Sequence, residues 1–280
     1  MLKALLARAH QGHRTMAYPA GDPPAIPERF RGAPALDPAR CPDGCRSCAD
    51  VCPTDAISGD GPLALDLGRC LFCTACVTAC PDGAITFTHD YRLATRRRED
   101  LVARGQELAL ADALERKLRR LFGRSLKLRV VSAGDCNACS SDVNVLGTIG
   151  WDLGRFGINF VASPRHADGL LITGPVTGNM RLALQKTYNA VPSPKIVIAV
   201  GACAISGGPY AGHPEQHGGA SSVVPVDLFI PGCPPHPLTI LDGLLRLLGR
   251  VEEERRVPRG RALESGDGQD HRMRAHPRTG

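Results

Sequence analysis

Aromatic residues are scarce in this 280-residue chain: seven Phe, four Tyr and one Trp. Long apolar runs are missing too. The longest, such as Lys195–Gly201, fall well short of the ~18 residues a membrane-spanning helix needs, so a membrane-spanning protein is not expected. Met1 to His10 is short, carries Lys3 and Arg8 and lacks a cleavage site, so no secretory leader is expected. The Gly-rich stretch Gly201–Gly208 has no G-x-x-x-x-G-K-[ST] pattern, which removes the usual phosphate-cradling loop. Basic residues outnumber acidic ones, 34 to 28. Much of that excess lies near the two ends with no interleaved aromatics, so nucleic acid is not an expected partner.

Cysteine, in contrast, is plentiful. Twelve cysteines in a chain expected to be cytoplasmic point to metal ligation or redox work rather than a disulfide scaffold. Eight are crowded together: Cys41, Cys45, Cys48, Cys52, then Cys70, Cys73, Cys76, Cys80. The second run reads C-x2-C-x2-C-x3-C-P and the first C-x3-C-x2-C-x3-C-P, with one extra residue in its opening loop. This is the paired bacterial ferredoxin pattern, in which the fourth Cys of each run serves the other run's cluster. One [4Fe–4S] cluster is therefore expected on Cys41, Cys45, Cys48 and Cys80, and another on Cys70, Cys73, Cys76 and Cys52. The flanks repeat as well, Cys52-Pro-Thr-Asp-Ala-Ile57 against Cys80-Pro-Asp-Gly-Ala-Ile85. A pair of zinc sites is the competing reading, since C-x2-C is also a zinc knuckle.

The remaining four, Cys136, Cys139, Cys203 and Cys233, stand in loops rich in Gly or Pro after the β-branched runs Leu126–Val131, Ile196–Val200 and Val226–Ile230. Open α/β sheets bind ligands at the carboxyl ends of their strands, where such thiols converge. A third [4Fe–4S] cluster is expected there; buried structural cysteine is the alternative for any one of them.

The expected fold is an α+β, ferredoxin-like two-cluster module followed by an α/β domain with a mostly parallel, flavodoxin-like sheet. Residues 1–34 read as an extended Pro-rich arm in which Leu2, Leu5 and Leu6 with Lys3 and Arg8 form one short amphipathic turn. Residues 35–90 hold the two-cluster module, 91–124 a linker whose charged pattern over 96–124 predicts a single helix, and 125–250 the α/β domain. Strands are predicted at 126–131, 157–161, 169–173, 195–200 and 226–230, and helices near 141–153, 179–190 and 237–249. Residues 251–280, with almost no apolar content, read as a disordered tail.

Residues 18–101 resemble the two-cluster ferredoxin subunit of complex I and of membrane-bound [NiFe] hydrogenases, formate hydrogenlyase included. The resemblance rests on Ile26-Pro-Glu-Arg-Phe-Arg-Gly32, Arg69-Cys-Leu-Phe-Cys73 and Arg98-Glu-Asp-Leu101. Residues 125–249 resemble the neighbouring complex I 20 kDa-type or hydrogenase small subunit. There the matches include Arg155-Phe-Gly157, Ser163-Pro-Arg-His-Ala-Asp168, Thr173-Gly-Pro-Val-Thr177 and Ile230-Pro-Gly-Cys-Pro-Pro235. The chain thus looks like a fusion of two subunits that neighbour one another in such assemblies. The separated Cys136 and Cys139 lean toward the hydrogenase branch. Hydrogenase relatives typically carry an acidic residue directly after the second Cys; here Ser140-Ser141 stand there, with Asp142 the next carboxylate, which leans the other way.

What the resemblance implies is an electron-transfer subunit on the cytoplasmic face of a membrane, serving a large catalytic subunit of hydrogenase or complex I type. Membrane-integral subunits would be further partners, with a soluble ferredoxin or a formate dehydrogenase-type protein as electron donor. The chain lacks the two C-x-x-C motifs that hold nickel in such large subunits, so it would act as a non-autonomous oxidoreductase subunit. The alternative is a complex I-like or nickel-free complex that reduces quinone or another acceptor. Arg40, Arg46 and Arg69 adjoin ligand cysteines and are candidates for tuning cluster potential. His166 and Asp142 are candidates for a proton relay, with Arg165 and Asp168 completing the polar cluster round His166.

Overall fold

The computed structural model describes residues 2–12, 14–58, 62–105 and 108–251, so the expected tail lies outside the described residues beyond Val251. The first half is built from very short pieces: helix α1 (Leu2–Gln11), strand β1 (Pro34–Leu36), helix α2 (Ser47–Asp50), strand β2 (Leu65–Asp66), helix α3 (Ala75–Ala79), strand β3 (Ile85–Phe87) and strand β4 (Val102–Ala103). β1 pairs antiparallel with β3, and β2 with β4. Two-stranded ribbons of two or three residues are marginal alone. Around them Leu65, Leu67, Ile85 and Leu101 are fully buried.

The sequence duplication has a structural counterpart. Past each Cys-Pro pair the chain turns back so that the amide four residues on donates to the cysteine sulfur. Ala56 N–H points to Cys52 Sγ at 3.2 Å and Ala84 N–H to Cys80 Sγ at 3.3 Å.

The second half comprises helix α4 (Arg116–Phe122), strand β5 (Leu126–Ser132), helix α5 (Ala138–Val145), strand β6 (Ile158–Phe160), strand β7 (Gly169–Thr173), helix α6 (Gly178–Ala190), strand β8 (Ile196–Val200), helix α7 (Ala202–Ser206), strand β9 (Leu228–Ile230) and helix α8 (Pro237–Leu247). Its five strands are all parallel in the order β6-β5-β7-β8-β9. That is the 2-1-3-4-5 order of flavodoxin-like sheets, with its switch point between β5 and β7. β7 and β8 are buried along their whole length, as a sheet covered on both faces requires.

Side chains alternate across the sheet, and the alternation sorts them into two cores. Leu170, Ile172, Val197, Ala199 and Phe229 face the same core as Leu65, Leu67 and Ile85, so the cysteine-rich half packs on one face. Leu171, Ile198, Val200 and Ile230 face the leucines of α8 on the other. The halves are also tied through polar bonds. Thr95 and Phe229 exchange both backbone hydrogen bonds, Arg96 Nε donates to the Asp227 carbonyl at 2.7 Å, and Ser206 Oγ to the Gly68 carbonyl at 2.8 Å.

Two expectations are corrected. Residues 96–124 do not form one helix: among the described residues of this stretch only Arg116–Phe122 is α-helical, after a 3-10 turn at Arg98–Leu101 and strand β4. The reason is tertiary. Arg98 grips Asp66 through two bonds of 2.8 and 2.6 Å, and Leu101 is fully buried, so the charged run belongs to the cysteine-rich half. The arm is not extended throughout either. It opens with α1 and then straps onto the α/β domain, where Arg155 holds the carbonyls of Met16 and Tyr18 at 2.6 and 2.7 Å.

Candidate metal centres

The cysteines gather in three groups of four. Cys48 feels the charge of Cys41, Cys45 and Cys80. Cys70 feels Cys52, Cys73 and Cys76. Cys139 feels Cys136, Cys203 and Cys233. Cys52 and Cys80 each lie near cysteines of the other run.

Local backbone explains the convergence in the second and third groups. Within Cys70–Cys76, Phe72 and Thr74 take positive φ values of 55° and 65°, winding the loop tightly before α3. Asn137 does the same at 71° before α5, and Asn tolerates that region better than most residues. At the strand ends the glycines permit close approach. A Cβ on Gly201, whose φ is +91°, would lie 2.5 Å from Cys139 Sγ, and one on Gly208 2.8 Å from Cys203 Sγ. Gly201→Ala is therefore expected to cost about 1–3 kcal/mol in strain at a Gly-only conformation. The third group should lose bound iron while the first two keep theirs, which iron analysis and EPR of the variant would check.

Burial pushes the Cys70 thiol up to about 12, with the Phe72 N–H pulling back, and the Cys76 and Cys203 thiols to about 11. The neighbouring cysteines add to the shift in each case. Crowded, partly buried thiols of this kind are a donor set that a bound cationic core would relieve, since ligation deprotonates cysteine. Among the described residues, no group of three or more His, Cys, Asp or Glu could hold a single metal ion.

Asp135 precedes Cys136 and forms an unexpected polar knot. Burial works against its charge, but donors from Ser132, Ser140 and Thr173 outweigh it and hold the carboxyl below its usual range. Ser140 Oγ donates to Asp135 Oδ2 at 2.6 Å and sits 3.1 Å from Thr173 Oγ1. Ser140 is thus a support for a carboxylate that comes from the preceding loop. Asp-x-x-x-x-Ser across a metal-ligand loop was the available sequence signal.

The proposed proton-relay residues separate. Arg165, His166 and Asp168 lie just before β7, at the amino end of the sheet, where Asp168 accepts from Lys127 N–H at 2.7 Å. The third cysteine group is at the carboxyl end, about 16 Å away along the five residues of β7. His166 is not beside it. Asp142 instead lines an open cleft of about 290 Å³ with Cys233, His236, Phe72, Arg29 and Arg31, and burial raises its carboxyl. Of the three tuning candidates, Arg40 and Arg46 pair with exposed Asp37 and Asp50, and Arg69 donates to the Asp55 carbonyl. Such exposed pairs act weakly at a distance.

Twinned cysteine loops packed on a parallel sheet that carries four more cysteines at its strand ends define an iron–sulfur protein of the oxidoreductase class. Residues 136–247 match the family model described as NADH ubiquinone oxidoreductase, 20 Kd subunit, and residues 43–58 and 63–86 match the 4Fe-4S binding domain. Over 141 residues the chain is 40% identical to a probable membrane-bound hydrogenase subunit, mbhJ, of Pyrococcus furiosus, covering 49% of this chain and 84% of that one. It is 36% identical to an NADH-quinone oxidoreductase subunit of Heliobacterium modesticaldum, covering 56% and 93%. It is 40% identical to formate hydrogenlyase subunit 7 of Escherichia coli, covering 51% and 56%. The chain belongs to the NADH ubiquinone oxidoreductase 20 kDa subunit family and carries a 4Fe-4S binding region ahead of the family domain.

Proposed function

We propose that this chain is a fused relay subunit, with a two-cluster ferredoxin module and a hydrogenase small-subunit-type domain holding three [4Fe–4S] clusters. Cys41, Cys45, Cys48 and Cys80 hold the first, Cys52, Cys70, Cys73 and Cys76 the second, and Cys136, Cys139, Cys203 and Cys233 the third. The clusters supply one-electron redox chemistry. The protein's part is to fix the thiolates, set their burial and supply hydrogen bonds to sulfur, the means by which a protein tunes potential. The observation that carries the reading is the meeting of the second and third groups: Cys233 feels the charge of Cys73, although they belong to different halves of the chain. A single relay then runs from the ferredoxin module to the end of the parallel sheet.

At that end Cys136 and Cys233 are exposed, as a docking face for a large catalytic subunit requires. Among the described residues no helix is long and apolar enough to cross a membrane, so association with membrane-integral subunits would be peripheral, on the cytoplasmic side. A hydrogenase of the energy-converting, formate hydrogenlyase-like type is the assembly favoured by the spacing of Cys136 and Cys139. The second reading, a complex I-like or nickel-free assembly reducing quinone or another acceptor, is favoured by Ser140. Its hydroxyl is spent on Asp135 and leaves no acid directly after Cys139. The domain limits proposed are 35–90 for the module and 125–250 for the sheet domain, with Asp142, not His166, as the proton-handling candidate near the third site.

Reconstituted protein should contain about 12 iron and 12 sulfide per chain, three clusters of four. Zinc at four sulfurs would require all of them about 2.3 Å from one ion, and stoichiometric zinc in place of iron would sink the scheme. A co-purifying large subunit with two C-x-x-C nickel motifs supports the hydrogenase reading; one without them supports the second.

A further inference from the structure

The first helix has no visible purpose within the fold. All ten residues of α1 are exposed, and Leu2, Leu5 and Leu6 are 72%, 63% and 60% exposed. Its last turn closes on Gly12, whose amide donates to the Arg8 carbonyl at 3.0 Å. Beyond it the chain is anchored: Thr15 Oγ1 donates to the Ile149 carbonyl and Met16 N–H to the Gly150 carbonyl. Ile149 itself is 73% exposed. Apolar side chains therefore crowd solvent both on α1 and at its root.

Their arrangement identifies the partner. At 3.6 residues per turn, Leu2, Leu5, Leu6 and Ala9 occupy an arc of about 100°. Lys3 and His10 flank that arc on one side and Arg8 on the other, with Ala4, Ala7 and Gln11 behind. Cations on both shoulders of an apolar stripe suit a helix lying in the interface plane, its stems beside acyl chains and its charges at headgroups. Charge points to anionic lipid: Lys3, Arg8 and Arg14 precede any carboxylate, the first being Asp22. We propose that α1 is an interfacial anchor that lays this end of the molecule on an anionic lipid surface. Its root at Ile149 and Gly150 follows the end of α5 opposite Cys139, beyond about 9 Å of helix from Cys139 to Val145, so the anchor would bear on the third cysteine group's height above the membrane. The proposal deepens the membrane-complex reading, yet it stands on α1 alone.

One anchor of this length gives reversible binding that needs both components. Full-length reconstituted protein should co-sediment with phosphatidylglycerol vesicles at low salt and far less with phosphatidylcholine vesicles. Leu5→Glu should weaken that partitioning about tenfold, the effect of one leucine withdrawn from an apolar setting. Lys3→Glu should weaken it several-fold, and raised salt should do likewise. Iron content and EPR signals should be unchanged in both variants, because no residue of α1 is buried. Equal sedimentation of wild type and Leu5→Glu would overturn the anchor, as would binding indifferent to headgroup charge. So would an α1 that ignores vesicles but is shielded from proteolysis by a co-purifying protein in detergent. Loss of iron in the wild type would instead count against the relay reading, and the two failures are read by different measurements.

Discussion

Replacing Cys76 with Ala should remove about four of the 12 irons expected per chain, one cluster's share, and halt electron transfer from the first cysteine group to the third. In the proposed relay Cys76 sits at the middle. It feels Cys73 and Cys52 of its own group and also Cys48 of the first, while Cys73 reaches toward Cys233 of the third. It is 7% exposed, on α3 just after left-handed Thr74. Alanine is the informative substitution, because a serine oxygen can still ligate iron. The first and third groups share no ligand with the second, so their signals should persist in chemically reduced protein. The measurement is stopped-flow reduction of the full chain from a donor that engages the ferredoxin module, followed by freeze-quench EPR of the third cluster. Retention of all 12 irons would refute the ligand set. Unimpaired reduction of the third cluster would refute the order of the relay.

The 4Fe-4S binding region was legible because closely spaced cysteine runs are a strong imprint, and because the duplication repeats it. The α/β half was legible because its central strands are buried on both faces, so Leu170–Thr173 and Ile196–Val200 read as unbroken apolar runs. Helix limits drifted more: α5 begins at Ala138, before the predicted 141, because Asn137 turns the chain directly out of the ligand loop. Illegible features depend on partners distant in sequence. The charged pattern of residues 96–124 has helical periodicity, yet Asp66 and the Asp227 carbonyl claim Arg98 and Arg96 and draw the chain out of a helix. His166 was plausible by residue type, but only the strand direction shows it to be at the wrong end of the sheet. Asp135 had only a faint signal, the Asp-x-x-x-x-Ser spacing across the Cys136–Cys139 loop. The arm's attachment had none, since Tyr18 and Asp242 are 224 residues apart.

That attachment leads to the largest stability effect expected outside the cysteines. Asp242 is fully buried on α8 and accepts from Arg246 Nε at 2.8 Å and from Tyr18 OH at 2.9 Å. Burial pushes its carboxyl up, and Arg246 and Tyr18 pull it back. Tyr18 is driven upward by burial and by the Asp242 charge, so it remains a donor. Asp242→Ala would leave the Arg246 guanidinium, only 7% exposed, without its counter-charge. Breaking a buried pair from one side costs about 3–5 kcal/mol, and the lost Tyr18 bond adds about 1 kcal/mol. The arm should loosen with it, because Tyr18 is its buried anchor on this domain while Gly32 and Ala33 pair with Thr88 and Asp90 on the other half. Denaturant unfolding should show the cost, and limited proteolysis should show cleavage between residues 19 and 31. The double replacement Asp242→Leu with Arg246→Met separates charge from shape. An apolar pair of similar volume often equals or exceeds a buried ion pair, so stability should largely return while the arm, still without an acceptor for Tyr18, stays more susceptible to protease. If the single variant cost no more than ~1 kcal/mol, near the value of an exposed ion pair, Arg246 would have a second route to solvent or charge. The strap would then be held by the Arg155 bonds to Met16 and Tyr18, and Arg155→Ala would release it instead.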